Sequence, residues 1–128
     1  MIKRYLYLKK TSSKGRGVFT TEKIGANTVV ENSPVIVMTT EDRSLLDKTL
    51  LHDYIFEWGP DKDKCCMALG FVPLYNHSYE SNCEYFMDFD EEIIQIKTVR
   101  PIGKDEELTI NYNGNWNDSK KVWFKVNY

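Results

Sequence analysis

Little in this 128-residue chain could staple it covalently or through a metal. Of its three cysteines, Cys65 and Cys66 are neighbours with poor geometry for bridging each other, so no disulfide framework is expected. His52 and His77 are the only histidines, and neither C-x-x-C nor H-x-x-x-H spacing occurs, so a zinc site lacks its ligands and no metal is expected. The thiols read as free and partly buried. No run approaches the roughly 18 apolar residues of a membrane span. Residues 1–10 are too short and too broken by Lys3, Arg4, Lys9 and Lys10 to form the apolar core of a secretory signal. The net charge of -2 excludes a global basic field, and with it binding to nucleic acid or an anionic membrane by charge alone. The expectation is a soluble intracellular protein, cytoplasmic or nuclear, with no direct nucleic-acid or membrane partner.

What is present fits one domain, since a chain of this size with 41% hydrophobic residues buries roughly two thirds of its unfolded surface. Short runs rich in β-branched and aromatic residues, such as Tyr5-Leu6-Tyr7-Leu8, Gly17-Val18-Phe19-Thr20, Val29-Val30-Glu31 and Val35-Ile36-Val37-Met38, predict several short strands punctuated by Gly, Asn, Ser and Pro. Residues 83–89 and 93–99 read as two strands flanking an acidic turn, and 107–112 as a last strand. Between them, Leu45, Leu46, Thr49, Leu50, Asp53 and Phe56 recur at spacings of three and four, which predicts one amphipathic helix over 41–56. The tail 116–128, with Trp116, Trp123 and Phe124, reads as an aromatic flap packed on the core rather than as a disordered end. The fold class is therefore mainly β with one helical insert.

Charge is unevenly spread. Residues 1–23 carry seven basic side chains against Glu22, whereas residues 80–107 carry nine acidic ones against Lys97, Arg100 and Lys104. An acidic face of this kind either steers a basic segment or is simply solvated.

Three polar constellations stand out. Lys14-Gly15-Arg16-Gly17 is a two-glycine turn before a strand, but it lacks the GK[ST] ending and following helix of a phosphate loop. Asn76-His77-Ser78 lies in a dense polar run, where side chains either satisfy one another in a turn or present donors and acceptors to a small ligand. No Ser or Cys nucleophile with a third partner accompanies His77, so a hydrolytic triad is unsupported. Glu107-Leu108-Thr109-Ile110-Asn111-Tyr112 is a strand ending in a tyrosine.

In order and separation these three segments resemble the SET domain, the family of S-adenosylmethionine-dependent protein lysine methyltransferases. Lys14-Gly15-Arg16-Gly17-Val18-Phe19 resembles the family's first motif, and Ile24-Gly25 followed by Val29-Val30-Glu31 its continuation with one residue of drift. Asn76-His77-Ser78-Tyr79-Glu80-Ser81-Asn82-Cys83 is similar to the N-H-S-C-x-P-N-C run, with Tyr79 in place of Cys and Ser81 in place of Pro. Residues 99–112 resemble the last motif, with Tyr112 at the active-site tyrosine.

The resemblance implies a β-clip of small sheets with a threaded C-terminal motif, and S-adenosylmethionine as cofactor. It places Lys14, Gly15, Arg16, Gly17, Asn76, His77 and Trp116 around that cofactor, Tyr112 in the catalytic role, and Tyr75, Tyr85 and Ile110 on the substrate lysine. Zinc-bound flanks common in the family are missing, so Trp116 and the rest of the tail are expected to close the site, a homodimer interface being the alternative use. The implied partner is a basic, lysine-containing protein segment such as a histone tail. A catalytically inactive SET-fold binding module is the competing reading.

Overall fold

The computed structural model describes residues 1–113 and Ser119. The expected tail flap, including Trp116, lies outside the described residues apart from Ser119. Nine strands form two sheets: β1 (Leu6–Lys10), β2 (Arg16–Thr20), β3 (Val29–Met38), β4 (Phe56–Trp58), β5 (Lys64–Ala68), β6 (Asn76–His77), β7 (Cys83–Asp88), β8 (Ile93–Thr98) and β9 (Glu107–Ile110), counted among the described residues. One sheet has the order β1-β2-β9-β6 and the other β4-β5-β3-β8-β7. The mainly β expectation holds.

Two of the expected runs, 29–31 and 35–38, are halves of one ten-residue strand. Strand β3 pairs with β8 through Pro34 and with β5 from Val35 onward, so it changes partner at the proline. Proline has no N–H for a ladder, and the switch point is where the ladder is already interrupted. The β7–β8 hairpin forms as expected around its acidic turn, with Asp88 paired to Ile93. Alternation along β8 buries Ile94, Ile96 and Thr98 while the intervening residues stay partly exposed. Ile94 and Ile96 join Val18, Val30, Val72, Leu108 and Ile110 in one core.

The helix expected over 41–56 does not form as one element. Helix α1 spans only Thr40–Leu46, a 3-10 turn covers Leu50–Asp53, and the chain then becomes β4. Thr49 makes the break: its hydroxyl donates to the Leu46 carbonyl at 2.7 Å and accepts from the Leu51 N–H at 3.2 Å, which caps one element and starts the next. The apolar spacing that suggested a helix face is not buried, since Leu45 and Leu50 are 65% and 74% exposed. Phe56 instead pairs with Cys66 in the sheet.

Strand β9 carries the geometry of the site. It lies between β2, antiparallel, and the two-residue β6, parallel, so segments about thirty and about ninety residues away become its neighbours. Asn82 straps them together: its Nδ2 donates to the Glu107 carbonyl at 2.8 Å, and its Oδ1 accepts from the Thr109 N–H at 2.8 Å. Ile24 and Ile102 form a reciprocal bridge at 2.9 and 2.8 Å, which joins the Ile-Gly segment before β3 to the one before β9.

Candidate active site

Two cavities open where β2, β6 and the end of β9 meet the segment after α1. The first, of about 420 Å³, is aromatic, with Tyr54, Phe56, Tyr75, Tyr85, Phe89 and Tyr112 in its wall together with Asp53 and Glu57. The second, of about 300 Å³, is polar, bounded by Lys14, Gly15, Arg16, Asn76 and Tyr112. Asp53, Tyr54, Pro73 and Tyr112 border both.

Tyr112 is fixed from several directions. Its hydroxyl donates to the Tyr75 carbonyl at 2.9 Å, its N–H donates to His77 Nδ1 at 3.0 Å, and its carbonyl accepts the Tyr85 hydroxyl at 3.2 Å. Burial first, then the neighbouring Tyr54, Asp53 and Glu107, pushes the Tyr112 hydroxyl up to about 12. Burial, then Glu57, does the same for Tyr85, also to about 12. Both phenols are therefore neutral at physiological pH.

His77 stands behind this wall. It is buried, and burial with the nearby Lys14 charge lowers it to about 4. Its Nδ1 accepts from Tyr112, so the neutral ring holds its proton on Nε2.

The two glycines of the Lys14–Gly17 turn serve different ends. Gly15 has φ +72 with nothing near its missing Cβ, so it is there for its left-handed backbone. At Gly17 a Cβ would lie 2.8 Å from Asn76 Nδ2 and closer still to Glu107 Oε2. The absent side chain leaves room for a hydrogen bond, in which Asn76 Nδ2 donates to Glu107 Oε2 at 2.8 Å while also donating to the Arg16 carbonyl at 3.2 Å.

A SET domain model matches residues 15–113. The chain belongs to the SET domain family. Among relatives of this SET domain, the Schizosaccharomyces pombe protein named "Histone-lysine N-methyltransferase, H3 lysine-37 specific" is 32% identical over 126 residues, covering 98% of this chain and 80% of the relative. A crystal structure of a Plasmodium falciparum candidate histone methyltransferase superposes with a TM-score of 0.67 at 30% identity, covering 90% of this chain and 98% of the other.

Within this SET domain, Lys14, Gly15, Arg16 and Asn76 share the polar cavity with Tyr112, whereas Gly17 and His77 are buried and do not border it. Tyr75 and Tyr85 border the aromatic cavity, but the Tyr75 hydroxyl turns into the core and donates to Glu31 Oε1 at 3.0 Å. Tyr75 thus presents its carbonyl to Tyr112 rather than a hydroxyl to a ligand. Ile110, expected on the substrate lysine, is fully buried in the core and borders neither cavity among the described residues. The register explains this, because Ile110 pairs with His77 in the parallel ladder while the chain reaches the cavity two residues later.

Sequence reasoning missed Asp53 and Phe56, which the helix reading placed in its three-and-four spacing, Tyr54, which it did not single out, and Glu107, which sits in the last motif without a role. The acidic residue facing the paired Gly and Asn segments was the available signal for Glu107.

Proposed function

We propose that this SET domain is a protein-lysine N-methyltransferase that takes S-adenosylmethionine in the polar cavity and a substrate lysine in the aromatic one. The observation that carries this reading is that Tyr112 borders both cavities. Two reactants entering from opposite sides would meet at one fixed hydroxyl, which is the alignment a bimolecular transfer needs.

The residues of the polar cavity fit the cofactor's chemistry. Lys14 suits a carboxylate, Asn76 offers amide hydrogen bonding to an amino acid group, and the cradle left by Gly17 keeps that amide in place. When bound, S-adenosylmethionine supplies a methyl on a positively charged sulfur. The chain's own contribution is positioning and exclusion of water.

Tyr112 does not act as a base. Its proton is committed to the Tyr75 carbonyl, and the phenolate is disfavoured until about pH 12. A phenol that donates its proton in this way still has an oxygen able to accept, which suits a lysine amine. The attacking amine must be neutral, although its ordinary pKa is about 10.4, and an aromatic pocket disfavours the ammonium form. Tyr54, Phe56, Tyr85 and Phe89 supply that surface, with Phe56 and Tyr85 in edge contact at 5.4 Å. Asp53 and Glu57, against Lys62, leave the same cavity's rim with an excess of negative charge that suits a basic segment such as a histone tail.

The deciding experiment is calorimetric titration with S-adenosylmethionine, followed by label transfer to a basic lysine peptide. Binding that weakens in Asn76→Ala, with transfer by the native chain, is the expected result. A folded protein that binds no cofactor at millimolar concentration removes the enzymatic reading. Binding without transfer to any lysine peptide leaves an inactive binding module.

A further inference from the structure

We propose that Glu107 sets which way the Asn76 amide points, and so makes the polar cavity selective for an ammonium group on its ligand. This rests on the cofactor reading above and adds a positioning residue to it.

The argument begins with what an amide can do. A primary amide has two N–H donors and one carbonyl acceptor. In Asn76 both donors are used by the protein, one on Glu107 Oε2 at 2.8 Å and one on the Arg16 carbonyl at 3.2 Å. What Asn76 retains for a ligand is the Oδ1 acceptor. An acceptor takes an ammonium and repels a carboxylate.

The side chain at 107 enforces this orientation because an ionised carboxylate accepts only. Were the Asn76 amide turned over, Oδ1 would face Glu107 Oε2, oxygen against oxygen, and two donors would be directed into the cavity. A glutamine at 107 can meet Asn76 with a donor or an acceptor, so only the Arg16 carbonyl would then oppose the turned amide.

Two further features hold Glu107 where this works. Its main-chain carbonyl accepts from Asn82 Nδ2 at 2.8 Å, and its residue pairs with Phe19 of β2 in the antiparallel ladder. Gly17 then keeps clear the space through which the carboxylate reaches Asn76. The second glycine of the Lys14–Gly17 turn and the second glutamate of the last motif are thus two parts of one device.

The test compares S-adenosylhomocysteine with its deaminated analogue, which keeps the adenosine and the carboxylate but lacks the ammonium. Dissociation constants are measured by calorimetry for the native protein and for Glu107→Gln, with the thermal midpoint of each as a check on folding. The native protein is expected to prefer the amine-bearing ligand by about tenfold or more, which is the scale of one charge-assisted hydrogen bond. In Glu107→Gln, where only the Arg16 carbonyl still opposes the turned amide, that preference should fall several-fold, while affinity for the deaminated analogue stays within about twofold, since no contact to the ammonium is involved. A variant that keeps the full preference, or that weakens both ligands alike, overturns the inference. Native protein that binds both ligands equally overturns it too while leaving the cofactor reading standing, whereas native protein that binds neither removes both.

Discussion

Tyr112 donates its hydroxyl to the main-chain carbonyl of Tyr75, which precedes it by 37 residues, at 2.9 Å. Tyr75 is itself anchored at its other end, where its hydroxyl donates to the buried Glu31 at 3.0 Å. The same Glu31 carboxylate accepts from Ser33 Oγ at 2.6 Å and from the Phe71 N–H at 2.8 Å. The tyrosine between the two cavities is therefore tied through one residue to a buried carboxylate on β3.

Removing only the Tyr112 hydroxyl should leave binding and folding nearly intact and slow the chemistry. Tyr112→Phe is expected to reduce kcat by about a hundredfold or more, the usual consequence of losing alignment of a reacting group. Cofactor affinity should change little. Steady-state kinetics with a lysine peptide checks this, and unchanged turnover would return Tyr112 to a purely structural role.

Tyr75→Phe separates the anchor from the carbonyl, because the main-chain acceptor for Tyr112 survives. The substitution leaves one lone-pair face of the buried Glu31 without its donor, at a cost of about 1–3 kcal/mol. Urea unfolding should show a lower midpoint with unchanged slope. A midpoint equal to that of the native protein would show that the bond contributes nothing to stability.

Acid should destabilise the fold through His77. Its folded-state value lies near 4 against an ordinary 6.5, so between those values the unfolded chain binds a proton that the folded chain refuses. The stabilisation is complete above about pH 6.5 and is lost as pH falls towards 4, at up to about 1.4 kcal/mol per pH unit. Unfolding free energies measured across that window should fall more steeply for the native protein than for His77→Asn, which has no proton to take up. Parallel curves would exclude His77 as the source.

Charge at the aromatic cavity should govern substrate choice. Asp53 and Glu57 border it, and the exposed β7–β8 turn adds Asp88, Asp90, Glu91 and Glu92 nearby in sequence to Met87 and Phe89, which also border it. A basic lysine peptide should be methylated with lower KM than an acidic one, and added salt should narrow the difference by screening. Asp53→Asn with Glu57→Gln should raise KM for the basic peptide several-fold with kcat little changed. Rates that are equal for both peptides and insensitive to salt would refute the steering.

The sequence by itself determined the local elements whose cause is local. The β7–β8 hairpin follows from two strands around an acidic turn, strands β1 and β2 from short aromatic and aliphatic runs on either side of a two-glycine turn, and the family from three motifs in order. Helix α1 was legible only in part. Its spacing was visible, but its end was set by Thr49 bonding to Leu46 and Leu51, and the demand for β4 came from β5, a partner that the periodicity of 41–56 does not contain.

The tertiary structure alone decided the site. That β9 lies between β2 and β6 depends on pairings between distant segments, which no local pattern encodes. From that insertion follow the Tyr75–Tyr112 bond, the burial of Ile110 away from both cavities, and the grip of Glu107 on Asn76 beneath Gly17. Side-chain identities are written in the chain. Which of them face a cavity, and which spend their hydrogen bonds in the core, was fixed by register between strands, where a shift of one residue turns every side chain to the opposite face.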